Sequence, residues 1–364
     1  VESHPDSAHE DLRLDRPFPG LETYCDSLNL ATMNKKDHSH TPWLVILYKY
    51  LQEWKQTHEG QTPKSYREKN QLKEMIKKGM RVNEEGVPEE EENFEEAVKH
   101  VNTAMVPTKV PSEVQLVLED PCCLELHSES KPFWILCRAL KDYVENEGQG
   151  CLPVRGSIPD MTADSERYIQ LQTVYRERAA EDMVAITSRV HTILQELGRT
   201  CSTISESEIR TFCRNAAFLR VVRCRSLLDE YRNNSANTEE LGMHIENEEE
   251  DDVVFYVLLR LVDRFYEEYN RYPGLDNDHV EPDIPKLKAC LHKLLHDWGL
   301  SSTVKDDYIH EICRYGASEL HSIASFMGGV AAQEAIKVLT CQFVPINNTF
   351  IYNGLRQTST TVHL

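Results

Sequence analysis

The chain has 364 residues, enough for two or three domains and for a core that needs no disulfide or metal staple. Lys plus Arg number 40 and Asp plus Glu 60, and the resulting net charge of −20 repels nucleic acid and anionic membrane surfaces. No run of about 18 apolar residues is available to cross a bilayer, and the opening VESHPDSAHE has neither the basic nor the apolar region of a secretory signal.

A soluble, unsecreted protein is therefore expected. The eleven cysteines are odd in number and form no C-x-x-C pair, as reduced intracellular thiols would. Adjacent Cys122 and Cys123 lack the second pair that tetrahedral zinc requires. The chain starts without Met, and we expect it to be incomplete at its N-terminus.

In chain order, His38, Ser39 and His40 form a polar cluster expected to cap the first long helix. That helix is TPWLVILYKYLQEWKQTHEGQTP from Thr41, in which Trp43, Leu47, Tyr50 and Trp54 recur at i, i+4, i+7 and i+11. The pattern returns 90 positions later in KPFWILCRALKDYVENEGQGCLP, where Pro42 meets Pro132, Trp43 meets Phe133, Gly60 meets Gly150 and Pro63 meets Pro153. A looser third copy runs from Val253 to Gly274. Each reads as a helix stopped by a Gly/Pro loop.

A second helix is expected after each loop, through Leu72, Met75 and Ile76 in the first case and Ile284, Leu287, Leu291 and Leu294 in the third. The longest follows the second copy, where Met183, Ile186, Val190, Ile193 and Leu197 step by 3 and 4 until Gly198. These units are too irregularly spaced for a solenoid. The acidic runs NEEGVPEEEENFEE and ENEEEDD read as solvated loops or helix N-termini, with docking of a basic partner as the other reading.

No motif makes a strong case for chemistry. GQGCLP from Gly148 follows a helix instead of a strand and ends in Pro153, so it reads as a helix stop and not as a phosphate cradle. His292 and His296 have metal-binding i, i+4 spacing but lack the Glu of H-E-x-x-H, and read as surface residues. Cys224, between Arg223 and Arg225, is the one cysteine in electropositive company; a packed structural thiol is the plainer reading. Catalytic, cofactor-binding and metal-ligating residues are all expected to be absent.

The C-terminal stretch differs. In ASFMGGVAAQEAIKVL, Ala324, Gly328, Ala331 and Ala335 line one helix face with the smallest side chains, and Gly329 adjoins them. Glycine costs a helix interior up to about 1 kcal/mol against alanine, so close approach of another helix or sheet is expected there. After it, FVPI, an Asn347-Asn348 turn and TFIYNG read as a β-type pair, which makes the tail α/β.

These residues carry a resemblance. DDYIHEICRYGASELHSIASFMGGVAAQEAIKVLTCQFVPINNTFIYNGLRQTS, with LPVRGSIPDMTADSERYIQLQTVYRERA from Leu152 and NAAFLRVVRCRSLLDEY from Asn215, resembles the regulatory subunits of the neddylation-activating branch of the ubiquitin-like-protein activating family. VESHPDSAHEDLRLDRPFP and KKDHSHTPW are similar too; residues 104–131 and 232–251 match less well.

The resemblance implies a mainly α chain. Residues 1–300 would be a helical insertion like a catalytic-cysteine domain but without the thioester cysteine. Residues 301–364 would be the C-terminal part of a ThiF/MoeB-like adenylation fold whose first strands precede Val1. It further implies a heterodimer in which the catalytic partner binds ATP and Mg, adenylates the modifier and captures it as a thioester, and the partner links this chain to the ubiquitin-like modifier.

Cytoplasmic residence, with the nucleus as a second location, goes with that function. The contact with the catalytic subunit is expected over Met161, Ala163, Tyr168, Ile169, Leu171, Gln172 and Tyr175, with Thr162 or Ser165 as N-cap; packing of this face within the helical domain is the competing reading. A helical scaffold or adaptor unrelated to adenylation is the alternative function, but it leaves the Gly/Ala helix and the β pair unexplained.

Overall fold

The computed structural model describes residues 11–86, 89–223, 226–231, 237–246, 252–340 and 343–364. The fold is mainly α, in two compact units, Val1–Arg220 and Val221–Leu364. This packing boundary lies upstream of the expected division at residue 300. The third helical hairpin is the reason: its apolar face shares a core with the C-terminal segment, through Leu261, Phe265, Leu287 and Leu291 on one side and Ile309, Cys313, Ile351 and Val362 on the other.

The first unit runs α1 (Pro19–Ser27), α2 (Lys35–Ser39), α3 (Trp43–Thr57), α4 (Tyr66–Lys78), α5 (Glu92–Ala104), α6 (Ser112–Leu118), α7 (Pro121–Leu124), α8 (Pro132–Glu145), α9 (Ser165–Glu196) and α10 (Glu206–Arg214). Expected apolar periodicities are met: Trp43, Leu47 and Trp54 of α3 and Leu72 and Ile76 of α4 are buried, with Tyr50 and Met75 packed beside them. The α3 helix closes where Gly60, at φ 77°, donates its N–H to the Lys55 carbonyl at 2.9 Å. The GQGCLP stretch likewise ends α8, where the Gly148 N–H reaches the Tyr143 carbonyl at 2.7 Å.

Polar residues expected at the surface take other places. His38 is buried in α2, its Nδ1 2.6 Å from buried Glu91 and its ring stacked 4.8 Å from Phe94. It caps nothing: α3 starts behind Pro42 with no side-chain cap. Glu91 belongs to an acidic run expected to be solvated, yet it is inside, also accepting from the Arg81 N–H at 2.9 Å, whereas Glu92 and Glu95 take the expected place in the first turn of α5. Of the second acidic run, residues 247–251 lie outside the described residues.

The second unit runs α11 (Leu227–Tyr231), α12 (Thr238–Glu246), α13 (Val254–Tyr269), α14 (Asn277–Asp297), α15 (Asp306–Tyr315), α16 (His321–Thr340), β1 (Thr349–Asn353) and β2 (Thr358–Val362). After α13, Asn270 takes the left-handed conformation at φ 52° and Gly274 follows at φ 56°. A Cβ at Gly274 would lie 2.1 Å from the Cys313 carbonyl oxygen, so the turn is held tightly against α15.

Asp283 of α14 fixes that turn. Its fully buried carboxylate accepts from Arg271 at 2.5 and 2.8 Å, from Lys286 at 3.0 Å and from the Gly274 N–H at 3.1 Å. Hydrogen bonding to Arg271, reinforced by Lys286 and Gly274 against the opposing effect of burial, holds it well below the usual carboxylate range.

The β pair differs from the expected one. TFIYN pairs antiparallel with TSTTV, from Thr349↔Val362 to Asn353↔Thr358, and FVPI has no part in it. The turn chemistry lies on the other side of TFIYN: Asn353 Oδ1 accepts from the Leu355 and Arg356 N–H groups at 3.0 and 3.2 Å. Pro345 in FVPI has no N–H to give a ladder, and the Ile346 N–H is taken by Glu334 of α16 at 2.7 Å.

Removing the Asp283 charge should cost about 2 kcal/mol at neutral pH, at the low side for a buried pair because Arg271 is partly exposed. The depressed carboxylate stabilises fully above its unfolded pKa of about 3.9, and that contribution falls away as the pH drops towards the lower native value. Urea unfolding of Asp283→Asn should therefore show a flatter stability profile than the parent between about pH 5 and 2; parallel profiles would contradict this assignment.

Candidate partner-binding segments

The segment before α9 is fastened to the first unit at several points. Asp164 is the N-cap of α9: its Oδ1 accepts from the Arg167 N–H at 2.9 Å, and its own N–H donates to the His40 carbonyl at 3.1 Å. The cap is thus neither Thr162 nor Ser165. Asp-Ser-Glu-Arg carried the signal, since an Asp just ahead of a helical run competes well for that position.

Thr162 is held instead by Glu96 of α5, donating from its N–H at 3.0 Å and its hydroxyl at 2.9 Å. Arg167 reaches Asp164 at 2.5 Å and Asp37 at 3.4 Å, while the Tyr24 hydroxyl donates to the Arg167 carbonyl at 3.0 Å. These long-range partners are not legible in the sequence, because neither Glu96 nor Asp37 has a local pattern that marks it.

The seven expected contact residues divide by helix face. Leu171 and Tyr175 are fully buried in the first core. The Tyr175 hydroxyl donates to the Leu12 carbonyl at 2.6 Å, and its ring meets Phe18 edge-on at 5.3 Å. Outward contact for these two is corrected accordingly: the stripe that looked like an anchor row is the one that holds α9 to its own unit. Met161 and Tyr168 are half-buried against the same core, Ala163 and Gln172 are intermediate, and Ile169 is exposed at 58%. Outward-facing apolar surface on this turn thus centres on Ile169.

In the Gly/Ala helix α16 no residue is buried. A Cβ added at Gly328 or Gly329 would meet nothing within 4 Å, and Ala324, Ala331 and Ala335 are uncovered too. Phe326 packs on Tyr352 of β1 at 4.2 Å, and Lys337 pairs with Glu334 at 2.6 Å. Ile336, Val338 and Leu339 are exposed, so an apolar helix lies open in this chain.

The remaining candidates for chemistry divide by burial among the described residues. His292 and His296 are exposed on α14, and no group of three or more His, Cys, Asp or Glu with metal-binding geometry occurs among the described residues. Cys224 lies outside the described residues. Burial pushes the thiols of Cys123 and Cys290 up to about 11 and that of Cys213 to about 12, the reverse of nucleophile activation. Cys122 is exposed.

Two measurements check these placements. Ile169→Asp should leave unfolding within about 0.5 kcal/mol of the parent, whereas Tyr175→Ala should cost about 3 kcal/mol or more. Among the described cysteines, iodoacetamide at neutral pH should label Cys122 well before Cys123, Cys213 or Cys290, as read by peptide mass spectrometry; equal rates would contradict the burial.

No family model matches the chain. It is 55% identical over 364 residues to the NEDD8-activating enzyme E1 regulatory subunit of Gallus gallus, covering all of this chain and 68% of that protein. To the protein of that name from Drosophila melanogaster it is 41% identical over 367 residues, covering 100% and 66%. To that of Saccharomyces cerevisiae it is 25% identical over 371 residues, covering 99% and 66%.

Proposed function

Because the chain belongs to the family of NEDD8-activating enzyme E1 regulatory subunits, we propose that it serves as the non-catalytic half of a two-subunit activating enzyme for a NEDD8-type modifier. The observation that carries this reading is identity that runs across the whole chain, through both packing units, instead of resting on one block. A free-standing scaffold unrelated to adenylation gains nothing from it.

In this reading the catalytic partner binds ATP and Mg, activates the modifier's C-terminal carboxylate and carries the thioester. This chain makes or breaks no bond. Burial that raises the Cys123 and Cys290 thiols suits that division for these two, because a thioester carrier needs an accessible thiolate. Residues 301–364 supply the end of a ThiF/MoeB-like adenylation fold and residues 1–300 its helical insertion. The open apolar face of α16 supports that assignment, since such a helix requires a covering layer from elsewhere in the enzyme.

Contact with the catalytic subunit around the start of α9 is carried by Ile169 with Ala163, Gln172 and the exposed edges of Met161 and Tyr168. The work is done in the cytoplasm and the nucleus, where the reduced state of the cysteines is maintained.

The test mixes the purified chain with the catalytic subunit, the modifier and MgATP, with the catalytic subunit alone as baseline, and reads co-elution and thioester formation. Co-elution is expected, and Ile169→Asp should weaken it by about tenfold if this turn is an interface anchor. A folded chain that neither co-elutes nor raises the thioester yield would overturn the proposal.

A further inference from the structure

A second surface of the first unit lies along α4. Residues 64–81 carry Lys64, Arg67, Lys69, Lys73, Lys77, Lys78 and Arg81 against Glu68 and Glu74, a local net charge of +5 in a chain of net −20. Both acids are already engaged: Glu68 closes the capping box of α4 with Ser65, and Glu74 pairs with Lys77 at 2.7 Å. Arg67, Lys69, Lys73 and Lys78 form no ion pair among the described residues.

The same helix borders a groove of about 710 Å³. One wall is a strip of α4 at helical spacing, Arg67, Asn70, Gln71, Glu74, Met75 and Lys78. The other is the end of α3, where Trp54 and His58 stack with ring centroids 3.6 Å apart, and Tyr66, exposed at 76%, stands beside them. The groove therefore has apolar surface in the middle and one unpaired cation towards each end.

Arg67 and Lys78 are eleven positions apart, or roughly 16 Å along a helix. That distance spans about five residues of extended chain. Glu74 sits between the two cations, which disfavours an anionic group at the centre and favours an apolar one against Tyr66, the His58 ring and the outer edge of Met75.

We propose that the groove between α3 and α4 is a docking site for a short acidic peptide segment of a protein partner, with carboxylates at both ends and an apolar side chain between them. The complementarity is local. At physiological ionic strength screening acts within about 8 Å, so the patch governs the approach even though the rest of the chain is acidic. The preference for peptide over nucleic acid or lipid rests on the apolar centre and on Glu74, which a regularly spaced phosphate backbone would have to cross. This site is independent of the regulatory-subunit reading, and its test needs no catalytic partner.

The probe is a fluorescein-labelled synthetic peptide, Asp-Glu-Leu-Phe-Glu-Asp, titrated with the whole chain at low salt and read by fluorescence anisotropy. Saturable binding is expected. It should weaken at least about tenfold with Arg67→Glu plus Lys78→Glu, with added 0.5 M salt, or when Asn and Gln replace the peptide's acids. Replacing Leu-Phe by Ala-Ala should weaken it about fivefold or more. The milder pair Arg67→Gln plus Lys78→Gln serves if charge reversal disturbs folding, as judged by thermal unfolding. No saturable binding, equal binding by the reversed-charge variant or by the neutral peptide, or tighter binding of a single-stranded oligonucleotide or of phosphatidylserine vesicles would each overturn the proposal.

Discussion

Helix α9 is 32 residues long and buries one stripe of its circumference, and the first unit is organised by what that stripe has to cover. Its N-terminal half closes one core through Leu171 and Tyr175; its C-terminal half presents Ile186, Val190 and Ile193 to α8 and α10. Between them sits Asp182, a buried carboxylate that accepts from the Val154 N–H at 2.9 Å and pairs with Arg178 at 2.9 Å. A charge there is tolerable because both a backbone donor and a cation meet it, and its position fixes where the chain before α9 must lie. At Gly156, φ is 81° and an added Cβ would lie 2.9 Å from that of Ala179, so the crossing strand of chain runs nearly against the helix.

The second unit solves a different problem. Its helices α13, α14 and α15 bury a shared core with the hairpin, yet α16 contributes no buried residue. Both features follow from the side-chain pattern: α14 sets Leu287, Leu291 and Leu294 on one face, while α16 lines Ala324, Gly328, Ala331 and Ala335 along one face that Val338 and Leu339 continue at its C-terminal end. Such a helix obtains little from its own unit, and its apolar surface is large enough that a covering layer would stabilise it substantially. The groove beside α4 is of another kind, since its apolar lining lies between the cations Arg67 and Lys78 of the same helix.

Periodic features were the most legible in sequence. The three related helices, the loops that stop them and the long run to Gly198 depend on spacing that survives in any context, and α3, α8, α13 and α9 appear where the apolar steps placed them. What the sequence concealed was the direction of a face. Tyr168, Leu171 and Tyr175 read equally well as an interface row or as core, and only the packing of Leu12 and Phe18 against Tyr175 decides between them. Buried polar contacts were hidden for a related reason: Glu91 sits in a run of acids and His38 in a cluster of histidines, and nothing local sets aside the pair that meets inside. The hairpin lies one strand further on than the sequence suggests, because Asn347-Asn348 resembles a turn whereas the Asx turn at Asn353 holds the pair.

The hairpin has a further bearing on how the protein is made. The core that holds Tyr175 draws its buried residues from Leu12 to Tyr175, so it can close while later segments are still emerging from the ribosome. The other core includes Ile351, Val362 and Leu364, and Asn353 and Thr358 bond Asp252 at 2.7 and 2.5 Å, immediately ahead of α13. Until that last stretch is translated, α13 and α14 have part of their apolar face uncovered, and at about 5–20 residues per second the interval is one of seconds. During synthesis the core around Tyr175 can therefore be closed while the core of the second unit is still unsealed, the stage at which a chaperone would find most to bind on α13 and α14.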